Sequence, residues 1–206
     1  MNVRLAGFGG QGVIMAGYIL GHAGLLDGLN ALQTQSYGSE SRGGTCKSDV
    51  VISESEILEL SPSRLDVLVA MSQPALDQYL PSLKEGGALI YDSNLVQPGD
   101  RPTRAFGLPA TDIAHSAFRH EVVANVIMLG CLAGLTGVVS RDSLRRAIAE
   151  DVPPKMVDMN LKALEEGFGT GAARKRHSTQ RRRLGRRPND RSRAVDLANA
   201  QAKKAK

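Results

Sequence analysis

The sequence predicts an α/β domain, a Rossmann-like three-layer sandwich around a mostly parallel sheet, followed by a disordered basic C-terminal tail. Three observations carry this. Short apolar runs of strand length alternate with helix-period segments. The first strand feeds at once into a glycine turn, Gly7-Phe8-Gly9-Gly10-Gln11-Gly12, and then into a helix. The chain has 206 residues, 42% of them hydrophobic and 22 of them glycine, which suits one such domain plus an appendage.

The elements follow in order. Residues 2–6 (NVRLA) read as a strand, and a helix is expected from about Gly10 to Leu26, ended by Asp27-Gly28. "NALQTQ" is a second strand, "SYGSESRGG" a polar loop, and the alternating "CKSDVVIS" a third strand. "DVLVAM" is a short apolar run of the kind buried in parallel sheets. A helix follows at "QPALDQYLPSL", interrupted or ended near Pro81, and then the strand "GGALIYDS". "RAFGLPA" reads as a short edge strand leading to a helix around "ATDIAHSA". Helices are expected at 121–135, at 140–149 with Ser140 as its cap, and at 154–166. The domain is expected to span 1–171, ending at "GFGTG", with the tail over 172–206.

The formal charge of +5 conceals an asymmetry. From Ala172 onward there are 13 Lys/Arg and two acids, a charge of +11, whereas residues 1–171 hold 13 Lys/Arg and 19 acids, a charge of −6. The tail has too few large apolar residues to offset its ordering entropy, so disorder is expected there. Its readings are a solvated extension without a dedicated partner, or contact with nucleic acid or another anionic partner through counterion release. The folded body takes nothing from the high isoelectric point.

Two cysteines, Cys46 and Cys131, offer no CxxC motif, so the chain cannot by itself ligate an iron–sulfur cluster or a structural zinc. Cys131 lies in the apolar "NVIMLGCLAGL" and reads as core; Cys46, among small polar residues, reads as the more accessible thiol. The apolar stretch from Val122 to Val139 is broken by Asn125, Gly130, Gly134 and Thr136, which favours a buried helix over a membrane span. No basic region followed by an apolar stretch opens the chain, so the cytoplasm is the expected location. His22, His115 and His120 have no evident Ser or Cys partner, and no catalytic or metal-binding set emerges.

The glycine turn fits G-x-G-x-x-G between strand and helix, and the helix N-terminus offers free N–H groups to an anion. A dinucleotide site also needs an acid at the end of the second strand for the ribose hydroxyls. That strand instead ends in Gln33-Thr34-Gln35-Ser36, and Asp27 belongs to the helix terminus. Phosphate or pyrophosphate contact, or a tight turn that simply packs, is therefore favoured over NAD or FAD. The polar loop supplies Ser36, Tyr37, Gly38, Glu40, Arg42, Gly43 and Gly44. Tyr37 and Arg42 are donor-rich groups suited to interfaces and phosphates, and Glu40 can pair with Arg42 or Lys47 to hold the loop. In a doubly wound sheet both loops leave carboxyl ends of strands, so they are expected to line one crevice.

Taken together, "GFGGQG", "QTQSYGSESRGGTCKSDVVIS", "DVLVAMSQPALDQYL", "GGALIYDS", "NVIMLGCLAGL" and the closing "NLKALEEGF" resemble the gamma subunit of 2-oxoacid:ferredoxin (acceptor) oxidoreductases, over about residues 1–168. The loop most resembles the 2-oxoglutarate branch rather than the pyruvate or branched-chain ones. The resemblance implies CoA-dependent oxidative decarboxylation of a 2-oxoacid to its acyl-CoA (succinyl-CoA for 2-oxoglutarate), with electrons passed to ferredoxin. It implies thiamine diphosphate and Mg2+ between alpha and beta subunits and an iron–sulfur cluster in beta or a separate unit. The chain itself would be a partner of alpha and beta, without thiamine, contributing to assembly and to the CoA side of the site. The matching positions are Gly7, Gly9, Gly10, Gln11 and Gly12, then Ser36, Tyr37, Gly38, Glu40, Arg42, Gly43 and Gly44. The pattern does not call for the tail. A free-standing nucleotide-binding oxidoreductase is the alternative from another class.

Overall fold

The computed structural model describes residues 1–37, 45–99 and 104–185, with side chains placed up to Lys175. Six strands form one sheet: β1 (Asn2–Gly7), β2 (Asn30–Ser36), β3 (Cys46–Ser53), β4 (Leu65–Ala70), β5 (Leu83–Asp92) and β6 (Arg104–Leu108). The helices are α1 (Val13–Leu26), α2 (Gln73–Tyr79), α3 (Ala110–Ile113), α4 (Ala124–Thr136), α5 (Arg141–Asp151) and α6 (Pro154–Gly185). The strand order is β2-β3-β1-β4-β5-β6. β1, β4, β5 and β6 pair in parallel, while β3 runs against both of its neighbours, β1 and β2.

This arrangement is the expected mostly parallel sheet with both faces covered. On one face Val3, Leu5, Val50, Val67 and Ile90 pack with Ile19 and Leu20 of α1, Ile127 of α4, Leu144 of α5 and Leu164 of α6. On the other, Leu65, Leu68 and Leu89 pack with Leu76 and Tyr79 of α2 and with Val96. Strands buried on both faces have no polar alternation, which is why "LDVLVA" is apolar nearly throughout. Ser140 caps α5 as expected, its hydroxyl accepting from the Ser143 N–H at 3.1 Å. Ser72 caps α2, and Pro74 sits in its first turn, where a missing N–H costs nothing.

Two boundaries differ from expectation. α1 starts at Val13 rather than Gly10, because Gly10 and Gly12 have φ of +89° and +74° and cannot belong to a right-handed helix. The last helix does not stop at 166: α6 runs through "GFGTG" to Gly185, so the onset of the expected disordered tail is helical as far as residue 185. The glycines that read as a boundary are packing surface. Gly167 and Gly171 of α6 lie on the backbone of Ile127 and Cys131 of α4, and Gly130 and Gly134 of α4 lie on Phe168 and Ala172. Missing Cβ atoms at both sides let the two helix backbones approach closely. Beyond this crossing, Arg174 donates to the Gly107 carbonyl at 2.8 Å, and Ala172, Ala173 and the basic residues that follow are strong helix formers. Residues 186–206 lie outside the described residues.

Candidate functional site

The glycine turn is held from within. Phe8 N–H donates to Gln11 Oε1 at 2.7 Å, and Gln11 Nε2 donates to the Met71 carbonyl at 2.8 Å, tying the turn to the end of β4. Gly7 serves this latch, since a Cβ there would strike Gln11 Oε1 and lie 3.2 Å from Met71 Cβ. Gly12 is the N-cap of α1 in the left-handed region, and the Asn125 amide lies against it. The helical ladder begins with Ala16 N–H to the Gly12 carbonyl at 3.0 Å, so the amides of Val13, Ile14 and Met15 precede it. No side chain caps this end of α1, and the space above Gly10 is open.

β3 brings the second stretch to the turn. Gly7 pairs with Cys46, and Ser36 at the end of β2 pairs with Lys47, so the connection between β2 and β3 leaves and re-enters the sheet beside the glycine turn. Both ends of that connection therefore lie beside the turn, with an antiparallel strand between the two parallel ones. A crevice of about 540 Å³ opens there. One wall is Phe8, Gly9, Gly10 and Gly12 with the first turns of α1, Val13 to Met15 and Tyr18; the other is Gln33, Gln35, Tyr37 and Cys46.

Of the residues singled out from sequence, Gly9, Gly10, Gly12 and Tyr37 line this crevice, and Tyr37 is 67% exposed. Gln11 and Gly7 do not: the Gln11 amide is committed at both ends, to the Phe8 N–H within the turn and to the Met71 carbonyl beyond β4. Ser36 is the exposed end of β2 and is not part of the lining. Gly38, Glu40, Arg42, Gly43 and Gly44 lie outside the described residues. Cys46, read as the accessible thiol, is only 7% exposed, because β3 carries it under the turn beside Gly9. The sequence reading missed Phe8, Met15, Tyr18 and Gln35. For Met15 and Tyr18 the signal was an apolar excess on α1: with Leu25 they fall outside the buried stripe, at 44%, 53% and 57% exposed.

The described lining contains no Lys, Arg, Asp, Glu or His, so among the described residues this crevice offers backbone amides, two carboxamides, two phenols and a thiol. Gln33 is further restricted, donating to the Ile14 carbonyl at 3.0 Å and to Ser48 Oγ at 2.8 Å. Asp27 is likewise occupied: it accepts from the Ser140 N–H at 2.6 Å and from the hydroxyls of Ser140 and Ser143. His22 pairs with Asp151 at 2.8 Å, on the α1–α5 seam. Burial pushes the Cys131 thiol up to about 11, slightly opposed by the charge of Arg174. No cluster of three or more His, Cys, Asp or Glu side chains that could hold a metal ion is present among the described residues. None of their helices is long and apolar enough to cross a membrane.

Fold and crevice together define an α/β domain whose glycine turn faces an apolar cleft. The chain belongs to the pyruvate ferredoxin/flavodoxin oxidoreductase family, whose profile matches residues 2–170. It is 44% identical over 171 residues to the 2-oxoglutarate synthase subunit KorC of Methanocaldococcus jannaschii, covering 81% of this chain and 91% of that one. To the subunit of the same name from Methanothermobacter thermautotrophicus it is 46% identical over 174 residues, covering 81% and 92%. Among solved structures, the gamma subunit of a keto/oxoacid ferredoxin oxidoreductase from Geobacter sulfurreducens superposes with a TM-score of 0.71 at 41% identity, covering 84% of this chain and 98% of that one. The chain is thus a subunit of a multi-subunit oxidoreductase, as the sequence resemblance implied.

Proposed function

We propose that this chain is the gamma subunit of a cytoplasmic 2-oxoglutarate:ferredoxin oxidoreductase, assembled with alpha and beta subunits, and that its crevice faces the CoA side of the active site. The observation that carries the substrate is the identity of 44% and 46% to 2-oxoglutarate synthase subunits over nearly their whole length. Thiamine diphosphate with Mg2+, held by the other subunits, supplies the ylid chemistry of decarboxylation, and an iron–sulfur cluster elsewhere carries the electrons to ferredoxin. The described residues of this chain offer no nucleophile–base pair that would duplicate those tasks.

What the chain can do is bind and orient. The crevice is apolar with two carboxamides, which suits the uncharged pantetheine arm of CoA better than its phosphates. The uncapped first turn of α1 presents N–H groups and the positive end of a 14-residue helix beside the same opening, a fit for one phosphate group. Phe8, Met15 and Tyr18 would cover the arm and keep water from the acyl-transfer path. Arg42, on the connection that returns at Thr45, is the cation of this stretch suited to the remaining phosphate charge.

Reconstitution tests the reading. Alpha and beta subunits with this chain should reduce ferredoxin in the presence of 2-oxoglutarate and CoA, and should do so poorly with pyruvate or 2-ketoisovalerate. Omitting this chain should abolish the activity. Arg42→Ala should raise the KM for CoA while leaving the melting temperature of the chain unchanged. Equal loss in activity and stability would assign Arg42 a structural role, and a chain that fails to assemble with alpha and beta would sink the proposal.

A further inference from the structure

On the face of the sheet opposite α1, a group of polar side chains is buried where apolar packing would be expected. Arg4 of β1 pairs with Asp49 of β3, with Nη2 to Oδ2 at 2.8 Å, and Lys47 Nζ reaches the same carboxylate at 3.0 Å. Arg4 is 5% exposed and Asp49 1%. Two cations therefore share one buried acid, and the ring of Tyr79 from α2 lies over both, 4.8 Å from the Arg4 guanidinium and 5.9 Å from the Lys47 ammonium. Tyr79 has a second contact. Its hydroxyl lies 3.1 Å from Thr45 Oγ1, which also donates to Gln78 Oε1. A threonine hydroxyl has a single proton, and that proton goes to Gln78, so the Tyr79 phenol is the donor to Thr45.

Thr45 is the residue before Cys46, and Cys46 is crevice wall on the other face of the sheet. Side chains alternate along β3, so Cys46 packs beside Gly9 while Lys47 faces Tyr79. We propose that Tyr79 is a positioning residue: its hydroxyl, with the Gln78 carboxamide, fixes Thr45 at the entry to β3 and so sets where Cys46 stands against Gly9, which is the width of the crevice. The cations stacked on its ring hold Tyr79 in place from the sheet side. Helix α2, which contributes nothing to the crevice lining, thereby acts on it through the two hydrogen bonds that Gln78 and Tyr79 make to Thr45.

The consequence for catalysis rests on the CoA reading of the crevice given above, and the experiment separates the two. Tyr79→Phe keeps the ring and its cation contacts and removes only the hydroxyl; Thr45→Val removes the acceptor with little change of shape. In the full chain, the rate of Cys46 labelling by a small disulfide reagent reports the entry to β3, and Cys131, buried and weakly acidic, is the internal reference. Both variants should speed Cys46 labelling roughly five- to tenfold, the shift expected for a buried hydrogen bond, with Cys131 labelling unchanged and the melting temperature lowered by no more than the few degrees that the lost hydrogen bonds account for. In the reconstituted complex they should raise the KM for CoA by a similar factor at unchanged kcat. Unchanged Cys46 labelling overturns the proposal, as does equally faster labelling of both cysteines, which would report general loosening. Faster Cys46 labelling with an unaltered KM for CoA upholds the positioning role and overturns the CoA reading instead.

Discussion

Asn125 of α4 donates through Nδ2 to the carbonyl oxygen of Gly12 at 2.9 Å, so a helix more than a hundred residues away in sequence rests on the last residue of the glycine turn. Its Oδ1 is buried without a hydrogen-bond partner among the described residues. A buried amide spent on one carbonyl implies that the position of Gly12 matters to the fold, and the glycine itself has two reasons to be there. Its φ is +74°, and a Cβ would overlap the Asn125 amide.

Gly10 separates those two reasons. It has a comparable φ of +89° but open space where a Cβ would go. Gly10→Ala should therefore cost only the left-handed backbone penalty, about 1–2 kcal/mol. Gly12→Ala should cost that plus the displacement of Asn125, roughly a further 1–3 kcal/mol by the measure of an overpacked core. Urea unfolding of both variants checks this; equal midpoints would mean that Asn125 yields without cost.

The α4–α6 crossing makes an opposite pair of predictions within four residues. A Cβ at Gly167 would overlap the Ile127 carbonyl and lie 2.9 Å from Cys131 N, so Gly167→Ala should force the helices apart and destabilise by about 1–3 kcal/mol. Gly169 faces nothing within 4 Å, and its φ is not positive. Gly169→Ala should stabilise by roughly 0.5–1 kcal/mol through helix propensity alone. Thermal melts of the two variants should move in opposite directions.

That pair also shows why the end of the last helix was hard to read. A glycine in a helical pattern signals a break unless a partner helix is known to sit on it, and the partners of Gly167 and Gly171 are backbone atoms some 40 residues earlier. Apolar runs such as "LDVLVA" and the Ser140 cap were legible because their signal is local. The reversed direction of β3 was not, since a strand's period is the same in either direction. In the site, the glycines announced the turn, but the role of Gln11 in latching it was not legible, because its partner Met71 is 60 residues downstream. Phe8, Met15 and Tyr18 look in sequence like any other apolar residues; the packed fold is what shows that they are left over from the core.

Asp27 gives a pH dependence with a definite sign. Burial works to raise its pKa, but hydrogen bonds from Ser143 and Ser140 outweigh it and hold the carboxyl below its ordinary 3.8. A carboxylate with a depressed folded-state pKa contributes stability that is present above the unfolded pKa and lost as pH falls through the folded one. Asp27→Asn keeps an oxygen for the Ser140 N–H and removes the charge. The melting temperatures of the two proteins should differ at neutral pH, with wild type higher, and converge as the pH falls below 3.8. Asp66 and Glu165 are lowered too, by Lys84 and by Arg141 with Arg145 against the opposing effect of burial, but both remain in each protein and cancel from the difference.

Gln33 tests the exclusion of a dinucleotide. In an NAD site the end of the second strand carries an acid that binds the ribose hydroxyls. Gln33 stands near that end and is turned inward, with both Nε2 hydrogens used, one on the Ile14 carbonyl and one on Ser48 Oγ. Gln33→Glu would supply the missing acid at the cost of both donors and would set a carboxylate against the Ile14 carbonyl oxygen. It should lower stability by about 1–3 kcal/mol, the range for a buried acceptor left unpaired. It should confer no affinity for NAD(H), because the side chain faces α1 rather than solvent above the sheet. Wild type should likewise show no saturable NAD(H) binding by calorimetry up to about 1 mM, a limit near 4 kcal/mol of binding free energy. Micromolar binding by either protein would mean that the glycine turn holds a dinucleotide without the acid.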